Sequence, residues 1–127
     1  MADGDALVWE ARFAQLYRHV ESCHYVLPLL CLIQQQRYMT TGSSGVFQLI
    51  YGFHTPPVVH EAFARHYGLG KGGSVTYESS GDLAQGMMAA IAMSPWEYSV
   101  MAAVVAERAD AIYARSLSNM KKALWRA

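Results

Sequence analysis

Thr55-Pro56-Pro57-Val58-Val59-His60, running on into Glu61-Ala62-Phe63-Ala64-Arg65-His66-Tyr67, is the stretch on which the fold class turns. Thr55 has the side chain of a helix cap, and Pro56 suits the first helical position, where a missing N–H costs nothing. Val59, Phe63 and His66 or Tyr67 supply an inner face, Glu61 and Arg65 stand four apart as a helical ion pair, and Gly68 can take the left-handed conformation that ends helices. The stretch therefore predicts a helix from Pro56 to Tyr67. With it helical, the chain has no second convincing strand to set beside the ambiguous Val46 to Tyr51 run; Ser74-Val75-Thr76-Tyr77 is the nearest to one, and a sheet has too few members to stand alone. Val46 to Tyr51 is short and apolar, compatible with strand or helix; Ser43 and Ser44 before it as caps favour the helix.

Toward the N-terminus, Trp9, Phe13, Leu16, Val20, Cys23, Leu27 and Leu30 recur at alternating steps of four and three, which places them on one face of a helix. Asp5 is its cap, and the helix is expected to reach Tyr38 with a kink at Pro28, because apolar residues continue past the proline. Leu29-Leu30-Cys31-Leu32-Ile33 is apolar on every side, so it must be covered by the middle helices or by another molecule. Thr40 to Gly45 is a connector.

Toward the C-terminus, Gly68 to Ser74 is the most glycine-dense segment and reads as a mobile surface loop; Lys71 is followed by Gly72 and no helix opens directly, which departs from a phosphate-binding loop. Asp82, or a serine just before it, opens a helix from Leu83 to Met93 rich in small residues and methionine. Ser94-Pro95-Trp96-Glu97 is a capping box. It opens a helix from Pro95 to about Leu124, with Tyr98, Met101, Val105, Ala109, Ile112, Ser116 and Met120 as its inner stripe. Lys121, Lys122 and Arg126 suit the negative end of its dipole. The whole reads as all-α: a single-domain bundle of about five helices, two long terminal ones packed antiparallel with shorter ones between.

Composition narrows the function classes. The 127 residues suit one domain, and 53% hydrophobic against 16% charged leaves a surface with few charges. Ten basic residues balance ten acidic ones, so no long-range positive field draws nucleic acid or an acidic membrane. The acidic start and the lack of a run long enough to span a bilayer give a cytoplasmic protein as the expectation. Cys23 and Cys31 lie eight positions apart on the expected helix, about 12 Å along its axis, too far for a disulfide; both read as buried thiols.

No catalytic constellation emerges. His19 and Cys23 stack an imidazole beside a thiol, but no orienting carboxylate accompanies them. The histidines His19, His24, His54, His60 and His66 lack metal-ligand spacing, and neither a carboxylate pair nor a nucleophile elbow is present, so no catalytic residue, metal or cofactor is expected. The surplus of aromatic and methionine side chains points instead to an interaction surface. The expectation is a small regulator, inhibitor or adaptor of the sort carried by phages and mobile elements, a homodimer that binds another protein through Leu29, Leu30, Leu32, Ile33, Tyr38, Tyr51 and Lys71. A second reading is a ligand-binding or enzymatic domain whose pocket is lined by His19, His24, Tyr25 and the Met87 to Met93 segment and gated by the Gly68 to Ser74 loop. Third stands a helix-turn-helix on Thr55 to Tyr67, disfavoured because that segment has too few Lys, Arg, Asn or Gln side chains to read bases.

Overall fold

A computed structural model describes residues 3–29 and 45–126. Helix takes up 71% of it, in five α-helices, and the remainder includes a small parallel two-stranded sheet. The elements are α1 (Asp3–Ser22), α2 (Gly45–Phe53), β1 (Val58–His60), α3 (Glu61–His66), β2 (Val75–Tyr77), a 3-10 turn (Ser80–Asp82), α4 (Leu83–Ala92) and α5 (Pro95–Arg126).

The chain is mostly helical, as the all-α expectation has it, but the small sheet is an addition to that expectation, and the double proline is the reason. A proline disfavours helical backbone in the residue before it, so Pro56 holds Thr55 extended and Pro57 does the same to Pro56. Two β-branched valines then continue the strand. Thr55 does not cap a helix: its hydroxyl donates back to Phe53 O at 3.4 Å. Helix α3 starts five residues later, capped by His60, whose Nδ1 accepts the Ala62 N–H at 3.0 Å.

Strand β1 pairs with β2 in the register Val58 to Val75, Val59 to Thr76 and His60 to Tyr77. On its other edge it meets Val26. The Val26 N–H donates to Pro56 O at 3.1 Å and the Val58 N–H donates to Val26 O at 2.9 Å, whereas the Val75 N–H donates to Pro57 O at 2.9 Å. Alternate residues of a strand direct their polar groups to opposite edges, so β1 lies centrally between Val26 and β2.

Two hydrophobic clusters flank this strand. Val59 joins Phe47 and Ile50 of α2, Phe63 and Ala64 of α3, Leu69 and Val105; Val58, Val75 and Tyr77 pack with Ala90 of α4 and Met101 of α5. Helix α5 thus serves both through residues one turn apart. The expected α2 helix is present, and it ends on His54 in left-handed backbone (φ 53°), with the Thr55 N–H donating to Ile50 O.

The first helix departs most from expectation. It ends at Ser22 instead of Tyr38, the Cys23 N–H closing on Val20 O, and the chain turns extended to pair at Val26. Pro28 disfavours helical backbone at Leu27 as Pro57 does at Pro56, so no described helix runs through the proline. Of the expected seam, Val20 is buried while Phe13, Leu16, Cys23 and Leu27 are exposed. The long helices do not form the core pair: neither hydrophobic cluster contains a described α1 side chain, and α1 leans on α2 with the Tyr17 ring 6.0 Å from Phe53. Cys23 is likewise exposed, not a core thiol. Cys31 lies outside the described residues.

Candidate functional site

The corner between α4 and α5 carries a cavity of about 530 Å³ lined by His24, Tyr25, Ala90, Ile91, Met93, Ser94, Pro95, Tyr98 and Ser99. Pairing of Val26 with the edge of β1 delivers His24 and Tyr25 to this place. The Tyr25 hydroxyl donates to Ala90 O at 3.0 Å and lies 3.4 Å from Met93 Sδ, while the Tyr98 hydroxyl donates to His24 O at 2.7 Å. Tyr98 meets both neighbours edge to face, its ring 5.5 Å from His24 and 5.4 Å from Tyr25. The corner is fixed by the expected cap: the Glu97 N–H donates to Ser94 Oγ at 3.2 Å, and the Ser94 hydroxyl donates to Glu97 Oε1 at 3.1 Å.

Burial raises the pKa of Tyr25, helped by Tyr98 and by the negative charge of Glu97, and burial raises that of Tyr98. Both phenols are neutral at ordinary pH. The Ser94 hydroxyl of the lining meets the Glu97 carboxylate as part of the helix cap. Among the described residues, no three His, Cys, Asp or Glu side chains converge to hold a metal.

This pocket is in part the one that the sequence suggests. His24, Tyr25 and Met93 line it. His19 does not, Met87 and Met88 face solvent, and the glycine loop is elsewhere. That loop is anchored, not a gate: Leu69 is fully buried, the Ser74 hydroxyl donates to Leu69 O at 2.9 Å, and a Cβ at Gly73 would stand 3.2 Å from Val104 of α5. Tyr98, Ser94 and Ser99 join the pocket without having been expected there; the capping box located them on α5 but said nothing of what faces them.

A second feature is the outer half of α5. Met101 and Val105 of its expected stripe are buried, and Tyr98, Ala109 and Ile112 are half-buried, but from Tyr113 onward every described side chain is exposed, Ser116 and Met120 included. Tyr113, Leu117, Met120 and Leu124 follow one another at steps of four, three and four, with Tyr113 and Leu124 each 70% exposed. Glu107 and Asp110 precede this stripe; Arg115, Lys121, Lys122 and Arg126 accompany and follow it.

Of the interaction residues read from sequence, Leu30, Leu32, Ile33 and Tyr38 lie outside the described residues. Leu29 is 69% exposed, and Lys71 is exposed on the glycine loop. Tyr51 is half-buried and donates its hydroxyl to Tyr67 O, with Arg108 beside it. The outer stripe of α5 is absent from that set; of its residues only Met120 belongs to the expected inner stripe, and no described residue buries it. No single helix among the described residues is long and apolar enough to cross a membrane, and α4 and α5 meet at 112°. No family model, no curated protein and no solved structure matches the chain.

Proposed function

We propose that the protein is a small cytoplasmic protein-binding module, a regulator, inhibitor or adaptor, that works by pairing the outer half of α5 with a helix of another protein, and that a second copy of the chain is one such helix. The exposed stripe Tyr113, Leu117, Met120, Leu124 carries this reading. Steps of four and three make the narrow apolar seam by which two helices pack. A helix of fewer than about 15 residues without packing is marginal in water, so the outer half of α5 gains by being covered.

Charge favours the antiparallel arrangement. Two copies side by side in parallel would set Lys121, Lys122 and Arg126 against themselves; antiparallel copies with their stripes in register separate these clusters and bring Arg126 to the level of Asp110 of the other. Size-exclusion chromatography with light scattering tests this. The expected result is a dimer for the full chain and a folded monomer for Leu117→Asp, with helix content by circular dichroism confirming the fold. A native chain that is monomeric at every concentration tried removes the second copy as partner.

A further inference from the structure

The corner pocket has a chemical polarity that its shape alone does not reveal. A hydroxyl has one proton to give, and each hydroxyl of the lining has already given it: Tyr25 to Ala90 O, Tyr98 to His24 O, Ser94 to Glu97 Oε1, and Ser99 to Pro95 O at 2.9 Å. What these oxygens retain is lone pairs. The start of α5 offers an anion little: Pro95 has no N–H, the Glu97 N–H is held by Ser94 Oγ, and the Tyr98 N–H donates to Ser94 O at 3.0 Å, which leaves the Trp96 N–H of the first turn. Facing it, α4 ends at Ala92 and brings the negative end of its dipole to the same corner. Glu97 adds a carboxyl group beside Ser94, and the rings of Tyr25 and Tyr98 line the pocket at 82° to one another. Among the side chains of the lining, only the exposed His24 imidazole brings an N–H with no hydrogen bond among the described residues.

We propose that this pocket binds an alkylammonium group, its positive charge held over the Tyr25 and Tyr98 rings and near Glu97, with its methyl or methylene groups against Met93 and Ile91. Acceptors, ring faces and a carboxylate suit a cation and offer an anion little, and ring faces attract an ammonium further once it is partly desolvated. The group can come from a free amine or from a lysine side chain of a protein; the chemistry is the same. The site is separate from the α5 stripe, so either proposal can fail alone.

The test is a chemical-shift titration of the full chain, reading the amides of Tyr25, Met93, Tyr98 and Ser99. The probes are choline, its neutral isostere 3,3-dimethylbutan-1-ol, butyrate, and Nα-acetyl-lysine amide. The expected result is that choline or the lysine amide shifts these amides, about two- to five-fold more tightly than the neutral isostere, and that butyrate does not. Tighter binding of choline assigns a small amine as the source; tighter binding of the lysine amide assigns a protein side chain. Glu97→Gln, on an exposed residue that keeps an amide oxygen for the Ser94 hydroxyl, should weaken the cation by about two-fold or more while leaving the neutral isostere unchanged. Equal or tighter binding of the isostere or of butyrate, no shift with any probe, or a Glu97→Gln variant that binds the cation as before overturns the proposal.

Discussion

At the scale of single residues, Gly68 and the half-buried tyrosines decide the most. Gly68 ends α3 at φ 77°, and a Cβ there would fall on the Arg108 side chain, whose Nε is itself buried without a hydrogen-bond partner among the described residues. Gly68→Ala should cost about 1–2 kcal/mol from backbone strain alone, before any displacement of Arg108, and urea unfolding would read it. Gly86 on α4 is the contrast: its Cβ would stand 3.6 Å from Val58 and 3.8 Å from Tyr77, in ordinary contact. Gly86→Ala should therefore stabilise by about 0.5–1 kcal/mol through helix propensity. The phenols set a pH limit. Tyr25, Tyr51 and Tyr98 have pKa values raised above 10.0 chiefly by burial, Arg108 opposing the shift at Tyr51. The fold favours their neutral form, so their contribution is whole below the unfolded value and is lost as pH rises through the folded one. Stability should fall in alkali above about pH 10. Absorbance of the phenolate band should show fewer tyrosines ionising before unfolding in the native chain than in the Tyr25→Phe/Tyr98→Phe double variant plus two.

Among the elements, legibility depended on whether a signal was local. The Ser94 cap could be read because all its partners lie within four residues, and the structure has both its hydrogen bonds. Ser94→Ala should cost about 1 kcal/mol, and thermal unfolding would measure it. The Glu61 and Arg65 pair likewise stands at 3.8 Å, exposed and of small consequence. Strand β1 was missed although its residues held the sign: Pro56 suits a helix start by itself, but a proline directly after it makes that same position extended. The ambiguity at Val46 to Tyr51 resolved toward helix, with Phe47 and Ile50 three apart and both buried. In α1, a regular apolar stripe was present, but among its described side chains only Val20 is buried. Periodicity reports which side chains share a face, not whether a neighbour covers that face.

For the whole molecule, the described structure is a central body of α2 to α4 with the inner half of α5, and two helical extensions from it. The pocket could be read only in part because it joins His24 and Tyr25 to residues 90–99, a meeting made by the pairing of Val26 with β1. Nothing within a few residues of either segment encodes that meeting. Hydrogen exchange should divide the chain in the same way. Amides around Met101 and Val105, in the two clusters, should exchange slowest, and those from Tyr113 to Arg126 fast in dilute solution. If a second copy covers the stripe, their protection should rise with protein concentration while that of the body stays fixed.

The central position of β1 also orders assembly in time. Its pairing with β2 spans residues 58–77 and can close early, whereas Val26 must return to Pro57 across the connecting chain before the second edge is satisfied. The corner pocket should accordingly mature last. Refolding followed by a ligand-sensitive signal at Tyr25 should lag refolding followed by helix formation, and Val26→Pro, which removes the N–H that reaches Pro56, should abolish the late phase while leaving most of the early one.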